Sequence, residues 1–214
     1  MSAPHASTDA AAPAPVFGEP TPLGLLGLAI GCGALVPIAF GMFPADPTKI
    51  PMMLKTAAWF CLLFGAGCQF LAGIMSLANK NTLGGTLLTT FSFNWVFNWF
   101  ALDQAAQGKA VDPTVGLAVD FVFIAIFVVL TYAFGFFSKL LFVFLLDIDL
   151  LYVLRIAKHF LPGAAGALGM GVGFATIALA LIAMYIALAM LLNPAAGRPL
   201  LPIAGPLFKS GAAA

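Results

Sequence analysis

The sequence predicts an all-α polytopic membrane protein, a six-transmembrane-helix bundle in each protomer. Composition is the first observation behind this. Of 214 residues, 62% are hydrophobic and only 8% are charged, with a mean hydropathy of +1.07. A soluble domain carries about 25% charged residues, so this chain cannot cover a surface facing water. The second observation is spacing: the apolar residues fall into six long runs, and one transmembrane helix needs about 20 residues. Six such spans use roughly 120 residues, which leaves short loops and no room for a second, soluble domain. The third is a formal net charge of +1. It gives no electrostatic footprint for nucleic acid, and the expected surroundings are the lipid bilayer.

Each run has recognisable boundaries. Residues 1–18 are rich in Ala, Pro, Ser and Thr and lack the basic and apolar regions of a secretory leader, so they read as a disordered tail. The membrane domain is placed at residues 19–206, with a second tail over residues 207–214. Pro20 and Pro22 set a defined start for the first run, residues 23–43. Pro44-Ala45-Asp46-Pro47 is a turn by composition. The second run, residues 51–77, contains Lys55 one turn in and closes at Asn79-Lys80-Asn81. The third covers residues 83–102 and leads into a polar connection from Asp103 to Pro113. The fourth spans residues 115–137 and meets Ser138-Lys139. The fifth, residues 140–157, ends in Arg155, Lys158 and His159 before Pro162-Gly163. The sixth, residues 164–192, precedes Asn193-Pro194.

Catalysis and cofactors find no support in these residues. Cys32, Cys61 and Cys68 sit inside apolar runs without a C-x-x-C pair, and read as small packing residues. The two histidines, His5 and His159, are far apart, so no zinc, haem or iron–sulfur site is expected. Phosphate-loop, nucleophile-elbow and metalloprotease motifs are missing. No cofactor, no metal and no enzymatic activity are therefore expected.

Two stripes of glycine recur at helix-packing spacing, Gly24, Gly27 and Gly31 in the first helix and Gly166, Gly169 and Gly173 in the sixth. Glycine lets helix backbones approach closely in lipid. Packing within one bundle and an oligomer interface are equally good readings of them. Orientation is not set by charge, because Lys and Arg divide evenly between the two sides.

The segment Glu19-Pro20-Thr21-Pro22-Leu23-Gly24-Leu25 resembles the Asn-Pro-Ala-Pro-Leu-Gly-Leu signature of the acetate uptake transporter family, which includes the bacterial succinate–acetate permeases. Gln69-Phe70-Leu71-Ala72-Gly73-Ile74, followed by Asn79-Lys80-Asn81-Thr82-Leu83-Gly84, is similar to the family's junction between helices 2 and 3. Tyr185 to Asn193, then Gly197-Arg198-Pro199-Leu200-Leu201-Pro202-Ile203, is similar to its C-terminal end. The resemblance implies a six-helix protomer assembled as a homo-hexamer, with a narrow path through each protomer for small monocarboxylates such as acetate. It also implies a bacterial inner or plasma membrane location with cytoplasmic termini. The family's constriction of an aromatic, a tyrosine and a leucine falls by motif position on Leu28, Phe91 and Asp147. Three departures stand out: Glu19 replaces an amide with a carboxylate, Phe91 lacks the tyrosine hydroxyl, and Asp147 is an acid where an apolar residue is expected.

Charges within the spans are candidates for function. Asp147 and Asp149 fall in mid-helix 5, where each costs about 2.5–3.5 kcal/mol to insert. At about 100° per residue, Asp147, Leu151, Arg155 and Lys158 share a stripe, and Asp149 points about 200° away from Asp147. One acid can thus face a path while the other pairs across an interface; Lys55 and Asp120 are further intramembrane charges able to take part. Salt bridges that fix packing and a proton- or cation-responsive gate are both open readings. An ionised Asp147 at a constriction would repel an anion, so anion passage requires it to be protonated, paired or turned away. Asn94 and Asn98, four apart on helix 3, and Gln69 on helix 2 could offer amides to a carboxylate, or could hydrogen-bond between helices. Trp95 and Trp99 share the adjacent face and read as packing or interfacial residues. The leading expectation is proton-coupled or pH-gated movement of an acetate-like acid. The alternatives are a channel for another small solute, neutral or cationic, and a membrane scaffold without transport.

Overall fold

A computed structural model describes residues 14–209. The tail expectations for residues 1–13 and 210–214 lie outside the described residues. Six helices follow one another: α1 (Thr21–Ala39), α2 (Pro47–Ala78), α3 (Thr82–Ala106), α4 (Pro113–Phe134), α5 (Lys139–Phe160) and α6 (Pro162–Ala196). Four of these, α1, α2, α4 and α6, are long and apolar enough to cross a membrane on their own. The other two, α3 and α5, are the ones that carry Asn94, Asn98, Asp147, Asp149 and Arg155. Their polarity has to be absorbed by the bundle.

The helix starts follow from local chemistry. Glu19 accepts hydrogen bonds from the Thr21 N–H, at 3.0 Å, and from the Thr21 hydroxyl, and Pro22 occupies the first turn of α1, where a missing N–H costs nothing. Asn81 caps α3 through the Gly84 N–H at 3.0 Å, and Ser138 caps α5 through the Leu140 N–H at 3.1 Å. Asp112 caps α4, accepting from the N–H groups of Thr114 at 2.8 Å and Val115 at 3.2 Å. These bonds hold its carboxyl below the usual carboxylate range. Gly197, with φ +63°, ends α6 in the left-handed region that favours glycine.

Helix α2 is not regular. Residues Cys61–Cys68 form a π-helical stretch, a wider coil that the run Gly65-Ala66-Gly67 permits. It lets neighbours in closely. A Cβ on Gly27 of α1 would stand 2.5 Å from the Phe64 carbonyl, and one on Gly65 would stand 2.5 Å from the Trp95 ring. A Cβ on Gly31 would also meet that ring, at 2.9 Å. Trp95 of α3 is therefore wedged between glycines of α1 and α2. The first glycine stripe thus packs within the protomer. The second divides: Gly173 packs on Phe40, at 2.9 Å from its would-be Cβ, while Gly166 has open space.

The bundle is built from α1 against α6 and the middle of α2, α3 against α2, and α4 and α6 on either side of α5. Both described ends meet one face of it. The Asn79 side chain at the α2–α3 turn brackets Phe17, accepting from its N–H and donating to its carbonyl, each at 2.9 Å. Asn193 clamps Leu200 and Leu201 through three hydrogen bonds of 2.8–2.9 Å. The following segment straps the α4–α5 turn: Ala204 accepts from the Ser138 hydroxyl, Gly205 from the Lys139 N–H, and Gly135 from the N–H groups of Leu207 and Phe208. The Phe208 ring lies against Tyr132, Phe136 and Phe142, so packing continues past Pro206.

Candidate functional site

Two of the cavities in the described bundle share part of their lining. The first, about 300 Å³, lies toward the termini. Glu19, Thr21, Asn81 and Phe137 line its outer part, and Leu28, Gln69, Phe91 and Ile148 its inner part. The second, about 280 Å³, is lined by Cys32 and Leu35 of α1, Asn94 and Asn98 of α3, and Tyr152 and Arg155 of α5. Phe91 and Ile148 line both. Along α1, α3 and α5 alike, the residues nearer the termini face line the first cavity and those farther along line the second. The two cavities meet at an apolar wall, termed the neck below.

Packing holds the neck in place. Leu28 is fully buried, Ile148 is 1% exposed and Phe91 is 6% exposed. Phe91 meets Phe127 edge to face at 5.2 Å and Trp95 at 6.3 Å. Phe127 stacks in turn on Tyr152 at 5.6 Å. Edge-to-face and offset contacts of this kind add about 0.5–1.5 kcal/mol each beyond area burial. The Phe91 ring is thus braced by α4 and α5 as well as by its own helix.

The intramembrane charges occupy three separate places. Arg155 and Asp120 form a two-pronged pair between α5 and α4, with Nη2 to Oδ1 at 2.9 Å and Nε to Oδ2 at 3.1 Å. The guanidinium also lies 5.5 Å from the Tyr152 ring centre. Asp149 is buried against α4 and accepts a 2.7 Å hydrogen bond from the Thr131 hydroxyl. Asp147 lines neither cavity, and its Oδ2 is buried without a hydrogen-bond partner among the described residues. The next residue, Ile148, takes the position on the wall. Lys55 is exposed and forms no salt bridge among the described residues.

The remaining sequence candidates are distributed as follows. Leu28, Phe91 and Gln69 line the first cavity, and Asn94 and Asn98 the second. Gln69 is 1% exposed and its Oε1 lacks a partner among the described residues. Of the N-terminal motif, Glu19 borders the first cavity, Pro20, Pro22 and Gly24 are buried, and Leu23 is 40% exposed. A Cβ on Gly24 would stand 3.0 Å from Leu88 and 3.1 Å from Ala72, so that glycine serves close packing. Ile148 and Tyr152 were not singled out from sequence. Both share one helical face with Phe144, Leu151 and Arg155, beside the position of Asp147. No group of three or more His, Cys, Asp or Glu comes together among the described residues.

These features define an integral membrane protein of six helices with two cavities that share an apolar wall. The family follows: residues 4–201 match the GPR1/FUN34/yaaH family, and the chain belongs to it. The fold is similar to the "Structure of the bacterial acetate channel SatP", with a TM-score of 0.76 and 20% identity, covering 88% of this chain and 99% of that one. Among relatives, "Ammonia transport outward protein 2" of Saccharomyces cerevisiae is 36% identical over 111 residues, covering 47% of this chain and 36% of that protein. The "Glyoxylate pathway regulator" of Yarrowia lipolytica is 31% identical over 96 residues, covering 45% of this chain and 33% of that protein. The matches thus span about a third of the length of these relatives.

Proposed function

We propose that the chain is a channel or transporter for acetate-like small monocarboxylates, moving them along the route that narrows at Leu28, Phe91 and Ile148. The observation that carries this is the pair of cavities sharing Phe91 and Ile148 as a common wall. Family membership and the SatP-like fold support the choice of solute. The apolar neck favours a small acid with a methyl-sized tail, and it taxes a full negative charge by desolvation. Passage is accordingly pH-dependent through the substrate itself: as its carboxyl ionises with rising pH, the uncharged form that crosses the neck at lowest cost becomes scarcer. The family resemblance extends the proposal to a homo-hexamer in a bacterial inner membrane with cytoplasmic termini, the membrane domain being residues 19–206.

The test is uptake of labelled acetate into liposomes holding purified protein, with protein-free liposomes subtracted. Flux that competes with unlabelled acetate is expected; flux no greater than that of protein-free liposomes would refute the proposal. A second reading has one observation in its favour, the relative named for ammonia transport, and an uncharged neck suits a neutral solute. Ammonia flux without acetate flux in the same liposomes would select it.

A further inference from the structure

We infer that the cleft between α3 and α4 holds one phospholipid with an amine-bearing headgroup, its tail along the apolar walls and its head between Asp112 and Arg155. The site lies on the flank of the bundle and does not depend on transport. α3 packs on α2 and α4 on α5, but these two consecutive helices do not pack closely on each other. They meet through Phe91, edge to face on Phe127. The gap is a cavity of about 510 Å³, walled by Phe93, Phe97 and Phe100 of α3 and by Val115, Val119 and Phe123 of α4. All of these but Phe123 are exposed. At membrane depth such a surface is covered by hydrocarbon, because no water is there to cover it.

The length of the cleft fits one leaflet. Its lining runs from Asp112, at the start of α4, to Phe93 and Phe123, near the middle of their helices. At 1.5 Å per residue, positions 112 to 123 span about 16 Å, half of the roughly 30 Å hydrocarbon core. The cavity adjoins a smaller one of about 230 Å³, with which it shares Asp112, Gly116, Asp120 and Arg155.

This end carries both signs of charge. Asp112 forms no salt bridge among the described residues, and its capping bonds hold its carboxyl below the usual range, so it is ionised at neutral pH. Arg155 pairs with Asp120 through Nε and Nη2. A guanidinium has five N–H groups, so donors are left for a phosphate. An ammonium beside Asp112 and a phosphate beside Arg155 is the charge pattern of a phosphoethanolamine head. A head with the phosphate alone would leave the Asp112 carboxylate without a counter-charge.

Gly116 marks the room for this ligand. It lines both cavities at the end of the first turn of α4, and a Cβ there would meet nothing within 4 Å. Among the described residues, no neighbour requires a glycine at this position, and glycine is a poor helix former. A larger side chain would occupy the space where a lipid lies.

The experiment is native mass spectrometry of the full chain, released from liposomes of equal parts phosphatidylethanolamine and phosphatidylglycerol. The unmodified protein is expected to retain phosphatidylethanolamine over phosphatidylglycerol by about fivefold, the effect of one charge at a membrane surface. Gly116→Leu fills the cleft and favours the helix, so it should lose the bound lipid while keeping its melting temperature and its assembly. Asp112→Asn keeps the cap, since Asn caps as well as Asp. It should retain a lipid but lose the preference for the amine, and it decides the matter where the leucine variant does not fold. These results uphold the site. Unchanged lipid retention in Gly116→Leu, no lipid or no preference in the unmodified protein, or a preference that survives in Asp112→Asn overturns it. Loss of assembly in Gly116→Leu overturns it as well, and assigns the cleft to a second copy of the chain.

Discussion

Ile148 offers the sharpest perturbation of the route. It is 1% exposed and, with Phe91, lines both cavities. Ile148→Ala removes three carbons from that wall and joins cavities of about 300 and 280 Å³. An apolar pocket discriminates by about 1–3 kcal/mol per methylene, or roughly 10–200-fold in rate. Butyrate exceeds acetate by two methylenes, so the unmodified neck should disfavour it strongly. Relieving that crowding should raise the butyrate-to-acetate flux ratio by about tenfold or more. Ile148→Phe should act oppositely, lowering acetate flux by at least about tenfold, since roughly 1.4 kcal/mol of added barrier suffices. The alanine variant loses about 2–5 kcal/mol of stability, so the assay is a ratio of two labelled acids measured in the same liposomes, from which differences in protein amount cancel. A ratio that stays within about twofold in the alanine variant, together with normal acetate flux in the phenylalanine variant, would show that the solute does not pass this wall.

Four further outcomes follow from individual contacts. Asp147→Asn should leave acetate flux and its pH profile within about twofold of the parent in liposomes, because Asp147 lines neither cavity; a flattened profile would put the acid on the route after all. Thr131→Val leaves the Asp149 carboxyl without its 2.7 Å donor and should cost about 1–3 kcal/mol, while Thr131→Val with Asp149→Leu should recover most of it, as read by unfolding in detergent. Gly27→Ala drives a Cβ to 2.5 Å from the Phe64 carbonyl, and the backbone cannot yield cheaply, so a loss of about 3 kcal/mol or more is expected by the same measurement. Asp112 has a lowered carboxyl pKa from its two N–H bonds. Its capping contribution is present above the unfolded pKa of about 3.9 and is lost as pH falls through the lower folded value. Asp112→Ala should therefore flatten the acid limb of the stability profile.

The six helices were legible because bilayer physics leaves a coarse imprint: long apolar runs broken by Pro, Gly and charge. The finer placement of α5 was not. Asp147, Ile148 and Asp149 are consecutive, and a turn of about 100° per residue decides which one meets the route. Sequence spacing separates Asp147 from Asp149 correctly, but it contains no zero of rotation. That zero is set by partners elsewhere in the chain, Phe123 and Phe127 stacked on Tyr152 and Thr131 bonded to Asp149. Sequence left packing and gating both open for the intramembrane charges. Asp120 meets Arg155 and one oxygen of Asp149 meets Thr131, each on a neighbouring helix, which only tertiary contact reveals. The π-helical stretch of α2 was hidden as well, although Gly65-Ala66-Gly67 marks the place. The Trp95 ring and the α1 backbone at Gly27 lie close against it from other helices.

The strap formed by residues 204–208 bears on how the bundle matures. Phe134, Phe137 and Leu141, which wall the first cavity, belong to or adjoin the turn that this strap holds. A ribosome delivers those residues some seventy positions before it delivers the strap, with α6 still to come. Until then the turn has backbone groups waiting for partners, at Gly135 and Lys139. The mouth on the termini side therefore takes its final form only when the end of the described chain docks, after all six helices have been made. A fusion protein joined directly behind Phe208 would interfere with that last step of assembly, whereas a flexible spacer would let it proceed.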